Sequence, residues 1–220
     1  MALTLEWSIR KMNTRKSALV AIALLTTGTA QAELSANVGF ASDYYFRGYF
    51  QKSSSASAGL DYEKSGFYAG VWAADVGGDI APDGIETDGY FGYGGEIGDF
   101  SYGVGYTGYF YTGDFDDTYQ EINLSAGYGM VTLDAAIGEY DNAGGPTLSY
   151  QFYSLTVEKD GFWGQYGTFE DELGGEYFQL GYDTTISEID FGISLLFPGD
   201  DIGGESNEAL IFSIGKSFDL

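Results

Sequence analysis

From Leu34 onward apolar and polar residues alternate with a period of two, and no comparable stripe with a 3.6-residue period appears. Residues i and i+2 share one face of a strand, so this repeat commits the chain to sheet with two chemically different faces. Phe100, Tyr102, Val104, Tyr106, Gly108 and Phe110 fall on one face, against Ser101, Gly103, Gly105 and Thr107. Ile189, Phe191, Ile193, Leu195 and Phe197 repeat the pattern against Asp190, Gly192 and Ser194. Twelve segments of this kind are expected near residues 34–45, 55–63, 67–76, 85–96, 100–112, 118–128, 131–141, 147–158, 161–169, 175–186, 188–197 and 208–218.

The connections between segments carry a second pattern. Links after the even-numbered segments are tight: Lys64-Ser65-Gly66, Ile97-Gly98-Asp99, Gly129-Met130, Lys159-Asp160 and Ser187. Links after the odd-numbered ones are generally longer and rich in Gly and Asp, as in residues 77–84, 113–117, 170–174 and 198–205. Short and long links alternate in antiparallel outer-membrane barrels, which have short periplasmic turns and longer, here acidic, external loops. The expectation is an all-β, up-and-down transmembrane barrel of about twelve strands. A secreted, water-soluble sandwich would also alternate, because one face of each sheet is buried. The uniformity of the repeat and the aromatic residues near segment ends favour the barrel.

Composition removes most other function classes. The 220-residue chain has no Cys and no His, so a disulfide framework, a Cys or His metal site and any His-dependent dyad or triad are impossible. Nine Lys and Arg face 33 Asp and Glu, for a net charge of -24, which argues against nucleic acid as a partner. No enzyme and no cofactor are expected.

The first thirty-two residues read as a secretory signal. Arg10, Lys11, Arg15 and Lys16 precede an apolar run from Ala18 to Leu25, and small residues end in Ala30-Gln31-Ala32, so cleavage is expected after Ala32. The run is shorter than the ~20 residues of a spanning helix. Met12 opens a more usual signal length. The barrel is then residues 33–220, in which Arg47, Lys52, Lys64, Lys159 and Lys216 are the only basic residues against 32 acids, a net of -27.

Residues Ser42-Asp43-Tyr44-Tyr45-Phe46-Arg47-Gly48, the later run Gly66-Phe67-Tyr68-Ala69-Gly70-Val71-Trp72, and Ile85-Glu86-Thr87-Asp88-Gly89-Tyr90 resemble the TorF family porins of proteobacterial outer membranes. The similarity extends over the whole mature chain and is most specific from Ser42 to Tyr90. It implies an outer-membrane barrel with a pore function and no defined substrate. Family members generally end in an aromatic residue, whereas this chain ends in Leu220.

Two apparent catalytic motifs fail on geometry. Gly103-x-Gly105-x-x-Gly108 matches a dinucleotide fingerprint by letter, yet it lies inside an alternating strand instead of opening a helix. Ser213 and Lys216 are three apart on a strand and face opposite sides.

The acids sort into two groups. Asp61, Glu63, Glu86, Asp88, Glu96, Glu121, Asp134, Asp183 and Asp190 fall on polar faces and, with Arg47, are the candidate pore-lining residues. Ionised carboxylates are costly against lipid, so in a barrel they line the lumen or its rims, where they attract cations and repel anions. The expected function is passive diffusion of small hydrophilic solutes, with a preference for cations, through a barrel solvated by outer-membrane lipid. The competing expectation is a non-conducting structural or surface-binding barrel, plugged by its own side chains, in which these acids pair with Lys64, Lys159, Arg47 and inward tyrosines.

The second group, Asp79, Asp83, Asp114, Asp116, Asp117, Asp141, Glu170, Asp171, Glu172, Asp200, Asp201 and Glu205, reads as a solvated acidic loop surface. Asp114-x-Asp116 begins like a calcium loop but lacks the sixth-position glycine and the distal Glu, and no metal site is assigned. Arg47, where strand one is expected to meet the first external loop, either sets a constriction with wall carboxylates or braces the rim.

Overall fold

In a computed structural model the described residues are 33–78, 81–142, 144–171, 174–202 and 208–220. The expected signal segment with its cleavage point at Ala32, and the loop acids Asp79, Glu172 and Glu205, lie outside them. Twelve strands follow in order: β1 (Glu33–Phe46), β2 (Tyr49–Lys64), β3 (Phe67–Val76), β4 (Gly84–Ile97), β5 (Phe100–Tyr111), β6 (Tyr119–Tyr128), β7 (Val131–Tyr140), β8 (Leu148–Lys159), β9 (Phe162–Asp171), β10 (Glu176–Ile186), β11 (Ile189–Pro198) and β12 (Ala209–Asp219). Each pairs antiparallel with its sequence neighbours. β1 closes the sheet against β12, from Ser35 opposite Asp219 to Ala41 opposite Ser213, so no strand is left with an unpaired edge.

β2, β4, β6, β8 and β10 end in two-residue turns. Ser65-Gly66 and Asp160-Gly161 place both residues at positive φ, the geometry whose twist matches a two-stranded antiparallel ribbon. The opposite end carries the longer connections, with one exception. The first external loop expected after residue 45 is absent: β1 and β2 extend to Phe46 and Tyr49 and are joined by Arg47-Gly48 alone, at φ 49° and 89°. The polar run Gln51-Lys52-Ser53-Ser54 breaks the alternation and so reads as loop, yet Lys52 and Ser53 remain paired with β1.

The apolar positions of the alternation point outward. Val38, Val71, Phe91, Val104, Leu124 and Ile193 are all exposed on the outer wall. Toward the end bearing the tight turns this wall becomes aromatic, with Phe67, Tyr93, Phe100, Tyr102, Tyr128 and Phe162 exposed. Lys216, which interrupts the apolar face of β12, sits at this rim 3.2 Å from Glu188 and over the Phe218 ring. Among the described residues no helix is long and apolar enough to cross a membrane, which leaves open crossing by strands.

Glycines on the inner wall make room for large inward side chains. A Cβ on Gly92 would lie 2.3 Å from the Tyr68 hydroxyl and 2.5 Å from the Val104 carbonyl, and one on Gly105 would meet the same hydroxyl at 2.3 Å. Gly105, the second glycine of the false dinucleotide motif, is therefore a seat for Tyr68. We expect Gly92→Ala to destabilise the barrel by about 1–3 kcal/mol through overpacking. Gly89→Ala, where nothing lies within 4 Å of the added methyl, is the control. Urea unfolding in lipid vesicles checks this, and equal stability of the two variants would contradict it.

Candidate functional site

The β1–β2 hairpin determines what the barrel contains. β2 is the longest strand and β1 is matched only by β4, so the tip should stand furthest into solvent, yet Arg47 and Gly48 are both buried. The pairing explains the direction of the chain. Tyr44 lies opposite Lys52 but Tyr45 opposite Phe50, which leaves Gln51 as an extra residue, and Ser54, three residues further along β2, adopts φ 60°. A bulge of this kind bends a ribbon and strengthens its twist. Here the tip is carried across the barrel to the wall formed by β6, β8 and β10.

There Arg47 forms a two-pronged ion pair with Glu121 of β6, Nη2 donating to Oε1 at 2.7 Å and Nη1 to Oε2 at 2.8 Å. The hydroxyls of Tyr109 and Tyr150 donate to the same two oxygens, each at 2.7 Å. Glu121 thus accepts four hydrogen bonds while only 1% exposed. The guanidinium plane lies between two rings, 4.3 Å from the Phe152 centroid and 4.8 Å from that of Phe46. Gly48 fits against Tyr177 and Ile202, where an added Cβ would come within 2.5 Å of the Ile202 side chain. The Tyr49 hydroxyl reaches the Gly174 carbonyl at 3.0 Å.

Aromatic packing surrounds this pair. Tyr150, Phe152, Phe169, Tyr177, Leu196, Ile202 and Ile211 form one buried cluster, with Tyr45 and Tyr49 of the hairpin against it. Tyr44, Ala74 and Val76 form a second, with Phe46 and Trp72 beside them. These residues come from walls all round the barrel and pack against the hairpin inside it, at the end away from the tight turns.

The candidate pore-lining residues divide by height. Arg47 and Glu121 meet in the plug. Glu86 and Asp88 lie beside it on β4, both buried, with the Tyr44 hydroxyl donating to Glu86 Oε1 at 2.8 Å. Nearer the tight turns, Asp61 accepts hydrogen bonds from Tyr90 and from Asn37, the latter at 3.0 Å. Asp183 accepts from the Trp163 indole at 2.7 Å and Asp190 from Thr185 at 2.6 Å. Glu63 and Asp134 are half-buried at intermediate positions, and Glu96 is exposed beside the β4–β5 turn.

The motif residues also divide. Tyr44, Phe46, Arg47 and Gly48 build the plug, and Trp72 packs edge-on against Tyr44 with centroids 5.8 Å apart. Gly66 forms a turn, Tyr68 lies over its glycine seat, and Gly70 admits the Tyr90 ring. Ser42 accepts a bond from the Phe212 amide across the β1–β12 seam, and Asp43 accepts one from Ser53. At the rim, Lys52 lies 2.7 Å from Asp83 and 3.6 Å from Asp75. Asp116 accepts hydrogen bonds from Tyr119 and Tyr140, so the loop that begins like a calcium site is tied to the barrel wall instead.

Sequence reasoning did not single out Tyr109, Tyr150, Phe152 or Ile202. The tyrosines and Phe152 sit on the polar parity of their strands, and a large aromatic on that parity is the signal of a filled lumen. Ile202 was legible as a lone aliphatic in an acidic, glycine-rich loop.

The family described as "Bacterial protein of unknown function (Gcw_chp)" matches residues 26–195, and the chain belongs to it. No curated protein matches. A solved structure described as "Unveiling the Mechanism Behind the in-meso Crystallization of Membrane Proteins" has a similar fold, with a TM-score of 0.53 at 9% identity over 86% of this chain and 84% of that one. A bacterial twelve-strand barrel with an apolar exterior is compatible with an outer-membrane barrel.

Because Arg47 and Glu121 are desolvated together, removing one partner leaves a buried charge. Arg47→Ala is expected to destabilise the barrel by about 3–5 kcal/mol, and Arg47→Met combined with Glu121→Gln by clearly less. Unfolding midpoints of the three variants check this. A double variant that loses as much as Arg47→Ala would contradict it.

Proposed function

We propose that the protein is an outer-membrane, porin-like barrel for passive diffusion of small hydrophilic solutes with a preference for cations, held closed at its external end by the β1–β2 hairpin. The observation that carries this reading is the position of Asp61, Asp183 and Asp190: they line the lumen below the plug, and each accepts a hydrogen bond from a neutral donor among Asn37, Tyr90, Trp163 and Thr185. A wall of carboxylates held in this way keeps its negative field and concentrates cations. The exposed apolar belt suits surrounding lipid, and the resemblance to TorF family porins points the same way. Export through the amino-terminal signal agrees with such a location. No enzymatic role is assigned.

A second reading is favoured by the aromatic packing around Arg47 inside the barrel, at the end away from the tight turns: a non-conducting barrel that serves as a structural or surface-binding element. The hairpin separates the two. In planar bilayers the parent should show only rare, small conductance steps, and Arg47→Ala should show frequent, larger ones whose reversal potential favours potassium over chloride. Silence of both proteins would support the non-conducting barrel, and a chloride preference would overturn the cation assignment.

A further inference from the structure

Beside the plug the barrel buries more negative charge than Arg47 can balance. Arg47 is committed through both Nη atoms to Glu121, and the four hydrogen bonds that Glu121 accepts come from Arg47, Tyr109 and Tyr150. Glu86 and Asp88 stand close enough to repel each other, and Glu121 adds to the repulsion at Asp88. With all three carboxylates ionised, this enclosed region carries a net charge of -2.

The two remaining carboxylates are incompletely satisfied. Glu86 is 1% exposed and Asp88 5%. The Tyr44 hydroxyl donates to Glu86 Oε1 and Tyr111 also hydrogen-bonds this carboxylate, whereas Glu86 Oε2 and Asp88 Oδ1 are buried without a hydrogen-bond partner. Their cross-strand neighbours supply no charge: Ala74 and Tyr111 flank Glu86, and Trp72 and Tyr109 flank Asp88. Buried ionic oxygens left unpaired are costly, and a positive charge placed between them removes that cost.

We propose that Glu86 and Asp88 form an internal binding site for one calcium ion. The two residues are i and i+2 on β4, so their side chains leave the same face about 7 Å apart at the backbone, a span that two carboxylates can close around a shared ion. A single divalent cation matches the excess charge. Calcium takes oxygen ligands at about 2.3–2.6 Å in irregular geometry and retains water where protein ligands are few, whereas magnesium demands a near-regular octahedron. Among the described residues no group of three or more acidic side chains surrounds one point, so Glu86 Oε2 and Asp88 Oδ1 would be the anionic ligands and water would complete the shell. The site does not depend on whether the barrel conducts. It ties the plug to the wall, since the Tyr44 hydroxyl that holds Glu86 belongs to the hairpin.

The test uses the full barrel, folded in detergent after treatment with a chelator. Calcium titration should raise the thermal midpoint and saturate at one equivalent, with magnesium much weaker. Glu86→Gln with Asp88→Asn should abolish the calcium response and raise the calcium-free midpoint, because the repulsion is gone. Asp200→Asn with Asp201→Asn, in an external loop, should leave the response intact. An equal response in the Glu86/Asp88 double variant, or none in the parent, would overturn the proposal. Should that variant fail to fold, infrared spectra of the parent decide: a protonated-carboxyl band that persists at saturating calcium would show that protons, not calcium, balance the charge.

Discussion

A barrel whose outer wall is apolar must turn the polar side chains of its strands to the lumen or the rims. In this protein the constraint is severe, because residues 33–220 carry 32 acids and five basic residues. The lumen cannot be filled with hydrocarbon alone, nor with unpaired carboxylates. The arrangement that results is a hairpin folded inward to bring one guanidinium to the most enclosed carboxylate. The Arg47–Glu121 pair is the point on which the aromatic clusters, the bend in β1–β2 and the closure of the external end all depend. Nearer the tight turns, Asp61, Asp183 and Asp190 accept hydrogen bonds from phenol, amide, indole and hydroxyl donors, which stabilise the anion.

Much of the fold was legible because the period of the alternation and the chemistry of the turns agree. The segment expected at 67–76 coincides with β3, and most other boundaries differ by one or two residues. Strand parity placed Asp61, Glu86, Glu121 and Asp183 opposite the outward apolar set, since a residue cannot change faces without a bulge. The first hairpin was the exception for the same reason. A bulge at Gln51 and a left-handed Ser54 destroy the alternation while preserving the backbone ladder, so side-chain pattern and pairing part company there.

The candidate site was legible in its residues and not in its assembly. Arg47 stands out in the sequence as the single arginine after residue 32. Its partner does not, because Glu121 is separated from it by 74 residues and is one of many acids on polar faces. What distinguishes Glu121 is the pair of tyrosines that reach it, Tyr109 across the β5–β6 ladder and Tyr150 from β8, and only the closed sheet brings these together. The bracing expected of Arg47 takes place inside the barrel, against Glu121 of the opposite wall, instead of at the rim.

The central claim is that the β1–β2 tip is seated inside the barrel through Arg47, and the chain itself offers a direct probe. Arginine labelled with nitrogen-15 in the mature protein reports on Arg47 alone. Seated against Glu121, its guanidinium should give resolved, slowly exchanging Nη–H resonances with nuclear Overhauser contacts to the rings of Phe152, Tyr109 and Tyr150. A single averaged resonance that exchanges rapidly with water would show the tip in solvent and contradict the account.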